Sequence, residues 1–436
     1  MRLRALVLLL FALIYSLSLH SEEKLSTEEL INNLKDDEAK VRIKAAKELG
    51  DRGEKLGLEA LLEATRDKDA EVQMAVVEAL GKISHSRQVS YLSQAAKNTK
   101  GDAQKEALRL LTRMYIPSRD HGALGKLWNS LQALFDPPEL VIVEPWIRVD
   151  PEAIDAITFV LDQKESENRI EAAAILGILR AQPAAPRLVF YLKSPNKEMV
   201  QTSIRSLGYI GDAGAAPDLV PLLKHPEDDV VIDAIRVLGQ LRYKEALPEL
   251  FRMLEASDED SDRRPVLQAI SRIADPAYEP TMLKFLDSDD KLLRLYAIEG
   301  IGRMNLQKHT QTLQLRFQRE KSRALKLGLC FSLYSLGESA YIDTLVLNLK
   351  DEEYRNQAQS YLVELGPRAV PGVAAYLKAS DDDFRVTLLD LLGNMHEPSA
   401  IPFIEPYLKD EDLDTAEAAT HAIRKLRRIQ ELKRAG

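Results

Sequence analysis

The sequence predicts an all-α chain: an α-solenoid of about twelve helix pairs, repeating with a period near 31 and interrupted by one insertion. Three observations carry this. Leu-Gly or Ile-Gly closes an apolar periodic segment at Gly50, Gly81, Gly177, Gly208, Gly239, Gly302, Gly337, Gly366 and Gly393, at spacings of 31, 96, 31, 31, 63, 35, 29 and 27. A phase held that long is the mark of a repeat array, in which each unit buries its apolar face only against its neighbours. Aromatic residues are 6% of the chain, and β-branched runs with strict alternation are scarce, which leaves little material for strands.

The unit is clearest at 215–239, AAPDLVPLLKHPEDDVVIDAIRVLG. Pro217 suits a first helical turn, where a missing N–H costs nothing, and Leu219, Val220, Leu222 and Leu223 give that helix an apolar face. HPEDD then breaks the pattern, and its acids favour the positive end of a following helix. Val230, Ile232, Ala234, Ile235, Val237 and Leu238 make the second helix apolar on more than one side, and Gly239 is expected to supply the left-handed residue that ends it. Such a helix needs a neighbour on each side.

Other units repeat these details. A small residue lies five positions before the glycine at Ala45, Ala172, Ser203, Ala234, Ala297 and Ser332, where it lets helices approach closely. Acidic turns precede second helices at Asp36-Asp37, Asp67 and Asp69, Asp228-Asp229, Asp289-Asp290 and Asp381 to Asp383, with Arg42, Arg294 and Arg385 following at matching positions. Capping and hydrogen bonds between repeats account for these residues better than ligand binding does.

The stretches DDEAKVRIKAAKELG (36–50), DDKLLRLYAIEGIG (289–302) and DDFRVTLLDLLG (382–393) resemble short HEAT repeats, closest to the type named after phycobilisome lyases. Pro217, Pro248, Pro371 and Pro402, each opening a first helix, fit the same pattern. The resemblance covers roughly 25–115 and 151–430. It implies a right-handed α-solenoid whose second helices line a concave face, and it identifies architecture rather than activity.

The partition expected from sequence has five parts: a signal peptide at 1–21, repeats at 25–115, an insertion at 116–150, the main array at 151–430 and a basic tail at 431–436. At the N-terminus, Arg2 and Arg4 precede an apolar run from Ala5 to Leu17, with Ser16, Ser18 and Ser21 as small residues near a cleavage point. The run is shorter than the ~20 residues that span a bilayer comfortably. An exported, periplasmic or extracellular protein is expected, with an uncleaved inner-membrane anchor as the alternative. Cys330 is the only cysteine, so stability must come from packing; in LKLGLCFSLYSLG it reads as a small buried hydrophobe.

The insertion departs most from the repeat. Leu124, Leu127, Trp128, Leu131, Leu134 and Phe135 fall on one helical face, Pro137-Pro138 stops that helix, and LVIVEPWIRV reads as extended chain. Both tryptophans, Trp128 and Trp146, lie here. As partner-binding candidates the sequence offers Leu124, Leu127, Trp128, Leu131, Phe135 and Trp146, presented to a protein or to a membrane surface. The alternative is that the segment folds back and caps a gap between repeat blocks. Arg424, Lys425, Arg427, Arg428, Lys433 and Arg434 read either as a contact to acidic lipid or protein, or as cations in the last turns of a capping helix.

The chemistry-bearing patterns are sparse. The seven histidines are scattered, and there is no HExxH, paired-cysteine, GxSxG or phosphate-loop motif. Deoxyhypusine hydroxylases, built on HEAT-like repeats, carry several His-Glu dyads; this chain has one, His396-Glu397. No cofactor, metal or catalytic residue is therefore assigned. The formal charge of −9 weighs against nucleic acid, whose phosphates need a basic surface. The expected function is a non-enzymatic scaffold binding another protein on its concave face or through 116–150. The alternatives are an enzyme or accessory of lyase or hydroxylase ancestry, and a membrane-surface adaptor.

Overall fold

The computed structural model describes residues 25–116 and 142–435. The proposed signal peptide, and the insertion helix with Leu124, Leu127, Trp128, Leu131 and Phe135, lie outside the described residues. Those described form an all-α solenoid of twelve consecutive helix pairs. They divide into two compact units: the first runs to Val143 and includes Val149–Arg187, and the second comprises Glu144–Arg148 and Leu188 onward.

The first unit contains α1 (Thr27–Asn33), α2 (Ala39–Arg52), α3 (Leu58–Ala64), α4 (Ala70–Lys82), α5 (Gln88–Asn98), α6 (Gly101–Arg113), α7 (Pro151–Asp162) and α8 (Arg169–Ile178). The division falls within α9 (Ala185–Tyr191). In the second unit, α10 (Lys197–Ile210), α11 (Ala216–Leu219), α12 (Asp228–Gln240), α13 (Leu247–Ala256), α14 (Asp260–Ile273), α15 (Glu279–Phe285) and α16 (Lys291–Arg303) come first. They are followed by α17 (Thr310–Arg319), α18 (Arg323–Ser335), α19 (Ile342–Leu347), α20 (Arg355–Leu365), α21 (Val370–Ala374), α22 (Asp382–Asn394), α23 (Ile401–Ile404) and α24 (Leu413–Ala435).

First helices are short for a reason visible in their prolines. In α11 the second residue is Pro217, and Pro221, which has no N–H to donate, turns the continuation into a 3₁₀ segment at Val220–Lys224. Pro402 and Pro406 do the same after α23. Second helices are longer and bury two sides: Val230, Ala234, Ile235, Val237 and Leu238 of α12 are all buried, while Ile232, expected in the core, is 38% exposed.

At Gly50, Gly239 and Gly302 the glycine has a different job from the one its position suggested, whereas Gly337 (φ +106°) and Gly366 (φ +60°) themselves take a positive φ. Gly239 lies inside α12 in ordinary helical conformation, and the left-handed residue comes three positions later, at Arg242 (φ +52°). The same offset holds for Gly50 and Gly53 (φ +64°), and for Gly302 and Asn305 (φ +53°). The glycine is needed because the next second helix crosses there. A Cβ on Gly50 would lie 2.7 Å from Ala79 Cα, and one on Gly302 would lie 2.6 Å from Ser332 Cα.

Acidic turns cap helices and tie repeats together. Asp69 and Asp290 each accept two backbone N–H bonds at the starts of α4 and α16. Arg42, 5% exposed, donates to both carboxylate oxygens of Asp67 in the next pair at 2.7 and 2.9 Å, and to the carbonyls of Asp36 and Asp37. Cys330 is buried in α18, where desolvation pushes its thiol up to about 12, so it packs as a small hydrophobe. The last helix continues to Ala435, so 431–435 is helix rather than a separate tail.

Candidate functional site

The second helices of the second unit build a polar cavity of about 400 Å³ from α12, α14, α16 and α20. Its base is a network around Arg303, the residue after the packing glycine of α16. The Arg303 side chain is 8% exposed. Its Nε and Nη2 donate to the two oxygens of Glu364 at 2.8 and 2.9 Å, and its Nη1 donates to Glu299 Oε2 at 2.8 Å and to Ser271 Oγ at 3.0 Å. The second Glu299 oxygen accepts the Tyr361 hydroxyl, which in turn accepts from Gln357 Nε2 at 3.0 Å.

Local sequence places each group. Glu299 and Arg303 are four apart on α16, so they share a face, as do Gln357, Tyr361 and Glu364 on α20. To touch Arg303, α20 must reach past α18. Gly328 of α18 permits this, because a Cβ there would lie 2.5 Å from Leu295 and 3.5 Å from the Tyr361 oxygen. Below, the Tyr361 ring stacks on Phe331 at 4.7 Å, and the Arg303 guanidinium sits 5.2 Å from the Phe331 ring centre.

The electrostatics follow from burial and pairing. Burial alone would lower the Arg303 pKa, but the hydrogen bonds and charge of Glu364 and Glu299 take it above the usual value. Burial alone would raise Glu364, yet Arg303, with Arg242 and Arg272 nearby, holds it below the usual carboxylate range. Tyr361 is pushed far up by desolvation and by the Glu299 charge. These directions favour a charged Arg303–Glu364 pair and a neutral Tyr361 hydroxyl.

The mouth is less committed. Arg242, held in its left-handed conformation at the end of α12, reaches Glu364 Oε1 only at 3.4 Å and is 61% exposed. Arg272 and Gln268, one turn apart on α14, and the Tyr296 hydroxyl on α16 have no hydrogen-bond or salt-bridge partner among the described residues. Leu292 and Leu295 supply an apolar wall.

Of the residues predicted as binding candidates, Trp146 is described. It is half-buried in the second unit, edge-to-face with His396 at 4.7 Å and with Lys425 Nζ 5.8 Å from its ring. The chain around it makes a turn, Ile147 N donating to Glu144 O, rather than continuing extended. Glu144 accepts from Lys425 at 2.7 Å and faces His396 Nε2 at 3.5 Å. His396 therefore engages Glu144 and Trp146, while Glu397 faces Lys433 at 3.8 Å. In the basic C-terminal cluster, Lys425, Arg427, Arg428 and Lys433 have acidic partners.

One further buried acid stands out in the first unit. Glu171 of α8 is 6% exposed, its Oε1 has no hydrogen-bond partner, and Lys105 Nζ is 3.7 Å from Oε2. Desolvation pushes its carboxyl up to about 7, against the opposing charge of Lys105.

The cavity escaped sequence reading because its residues occupy positions that are ordinarily solvated. A signal existed in the register. Ser271 lies 32 residues after Gly239 and 31 before Gly302, so it is the repeat position missing from the 63-residue interval. Gln268 and Arg272 flank it as Glu299 and Arg303 flank Gly302.

The family comparison agrees with the repeat architecture. Residues 27–112 and 186–271 match the family model for HEAT repeats. No curated protein matches the sequence significantly. Among solved structures, the chain is similar to Kap121p at 13% identity and a TM-score of 0.46, over 93% of this chain and 57% of that one. It is similar to importin beta at 13% and 0.46, over 92% and 62%. An engineered protein aligns at 16% and 0.26, over 92% and 98%. The chain thus spans less than two thirds of the length of the Kap121p and importin beta structures.

Proposed function

We propose that this HEAT-repeat chain is a non-enzymatic scaffold that binds another protein through the side chains its second helices present. The observation that carries the reading is the cavity of the second unit: a locked Arg303–Glu299–Glu364 base beneath a rim in which Arg272, Gln268 and the Tyr296 hydroxyl have no hydrogen-bond or salt-bridge partner among the described residues and Arg242 has one long contact. Rigid groups lose little entropy when a ligand orders against them, so such a surface binds with small reorganisation. The chain is exported by residues 1–21 and works in the periplasm or outside the cell. The 116–150 segment, whose Trp146 is engaged within the second unit, is the secondary contact rather than the primary one.

The test is crosslinking mass spectrometry on the native envelope fraction. A partner crosslinked to residues near 240–303 and 357–364, and lost on the double substitution Arg242→Glu/Arg272→Glu, supports the reading. Recovery of the protein in the cytosol refutes the export part, and crosslinks confined to 116–150 refute the assignment of the primary face.

A further inference from the structure

The chemistry of the rim identifies what the cavity holds. Both oxygens of Glu364 and both of Glu299 already accept from Arg303 and Tyr361, so the carboxylates are largely committed to the base. The open charge is positive. Arg272 has no hydrogen-bond or salt-bridge partner among the described residues, its charge acting on Glu364 from a distance, and Arg242 has one long contact at 3.4 Å. An unpaired guanidinium beside an unpaired amide and hydroxyl is a donor set for a planar anion, and the guanidinium fork matches a carboxylate with two parallel bonds.

The charge balance selects among anions. Arg242, Arg272 and Arg303 against Glu299 and Glu364 leave the lining one positive charge in excess, which suits a monoanion; a dianion would meet two glutamates with one charge uncompensated. The chain as a whole carries the opposite sign, at −9, so the excess positive charge of this lining runs against the overall balance and favours an acidic ligand there. Gln268, whose amide both donates and accepts, can pair with a peptide group. Leu292 and Leu295 offer a wall to an adjacent apolar side chain.

Building on the scaffold function, we propose that the cavity is a carboxylate-binding site for a peptide segment of the partner. Arg272 is the principal anchor, Arg242 the second cation, Gln268 and Tyr296 the orienting groups, and the Arg303 network the rigid base. The carboxylate comes either from an acidic side chain next to an apolar residue or from a chain terminus.

The full chain is titrated into fluorescein-labelled peptides of four Glu-Leu repeats and of four Gln-Leu repeats, each with a free and an amidated C-terminus, reading fluorescence anisotropy. An acidic side chain as the source predicts that both Glu peptides bind at least about tenfold tighter than the amidated Gln peptide. A terminal carboxylate predicts that the free-ended peptides alone do so. Arg272→Gln abolishes the preference, and Arg242→Gln, a more exposed change at the rim, reduces it. Equal binding of all four peptides overturns the site, as does a preference that survives both substitutions. The two levels separate in the envelope: a partner still crosslinked to this face in Arg272→Gln leaves the scaffold function standing and removes the carboxylate site, whereas no crosslinked partner in the unsubstituted protein removes the scaffold function itself.

Discussion

Lys82 in the first unit and Arg303 in the second occupy the same position of the repeat, one residue after the packing glycine, yet their surroundings differ entirely. Lys82 Nζ bonds Asp51 at 2.7 Å with both side chains more than half exposed, at 51% and 63%. Arg303 is 8% exposed and binds two carboxylates, a serine and an aromatic face. The difference comes from α20, which reaches past Gly328 to bring Glu364 and Tyr361 over α16. The repeat dictates which face a residue occupies; whether that face is wet depends on a helix two pairs away. Glu171 is a third case, an ionisable group buried in the first unit without the partners that Arg303 has.

The largest effect is expected where that contrast is steepest. Arg303→Ala leaves Glu299 and Glu364 facing each other in a buried site, and Glu299→Leu leaves half the guanidinium unpaired. Removing one member of a buried ion pair costs about 3–5 kcal/mol, so Arg303→Ala is expected to lose that much in urea unfolding monitored by circular dichroism. Replacing Arg303, Glu299 and Glu364 together by Met, Leu and Gln is expected to recover most of it. A loss below about 1 kcal/mol for Arg303→Ala would show that its pairs behave like exposed ones.

Glu171 tests burial without a partner, and here the sign of the pH dependence is decisive. The unfolded chain releases this proton near 4.5, whereas the folded one holds it to about 7. Between those values the folded state binds the extra proton, so stability falls as pH rises through the window. Glu171→Gln removes that decline. It is expected to be near neutral at pH 4.5 and stabilising by up to about 3 kcal/mol above pH 7, measured as the urea midpoint of wild type and variant across pH. A constant difference at all pH values would mean that folding leaves the pKa of this carboxyl unchanged, Lys105 offsetting its burial.

How far the sequence disclosed this depends on which interaction a residue serves. The period, the buried small residues such as Ala45 and Ser332, and caps such as Asp69 are set by contacts with adjacent pairs, so they recur and can be read. The role of Gly239 was misread because a glycine ending an apolar run suggests a cap; the crossing helix that requires it, where an added Cβ would lie 2.8 Å from Ala269 Cα, is 30 residues on. The Arg303 network was invisible because its partners are 61 and 62 residues apart in sequence, and a lone glutamate in AIEGIG resembles any solvated face residue. Ser271 also hid one period, being the residue that stands where a glycine would.

Steric packing, unlike polarity, is common to the two units, which makes it a control on the comparison. Gly50→Ala and Gly302→Ala each place a methyl within 2.7 Å of backbone on the crossing helix, and overpacking of this kind costs about 1–3 kcal/mol. The two variants are expected to lose similar stability. A gap between them larger than about 1 kcal/mol would show that the units differ in packing tolerance as well as in buried charge.

The smallest effect belongs to the exposed member of the opening pair. Lys82→Ala removes an ion pair in which both side chains keep most of their hydration, so the expected loss is at most about 1 kcal/mol. Added salt should shrink it further, because a pair in water is screened within roughly 8–10 Å at physiological ionic strength. Arg303→Ala should keep its penalty in the same salt series, since the low exposure that makes the pair strong also keeps counterions away from it. Parallel urea titrations at low and high sodium chloride therefore separate the two positions by a criterion independent of magnitude. A salt response at Arg303 as large as that at Lys82 would erase the distinction between the two faces.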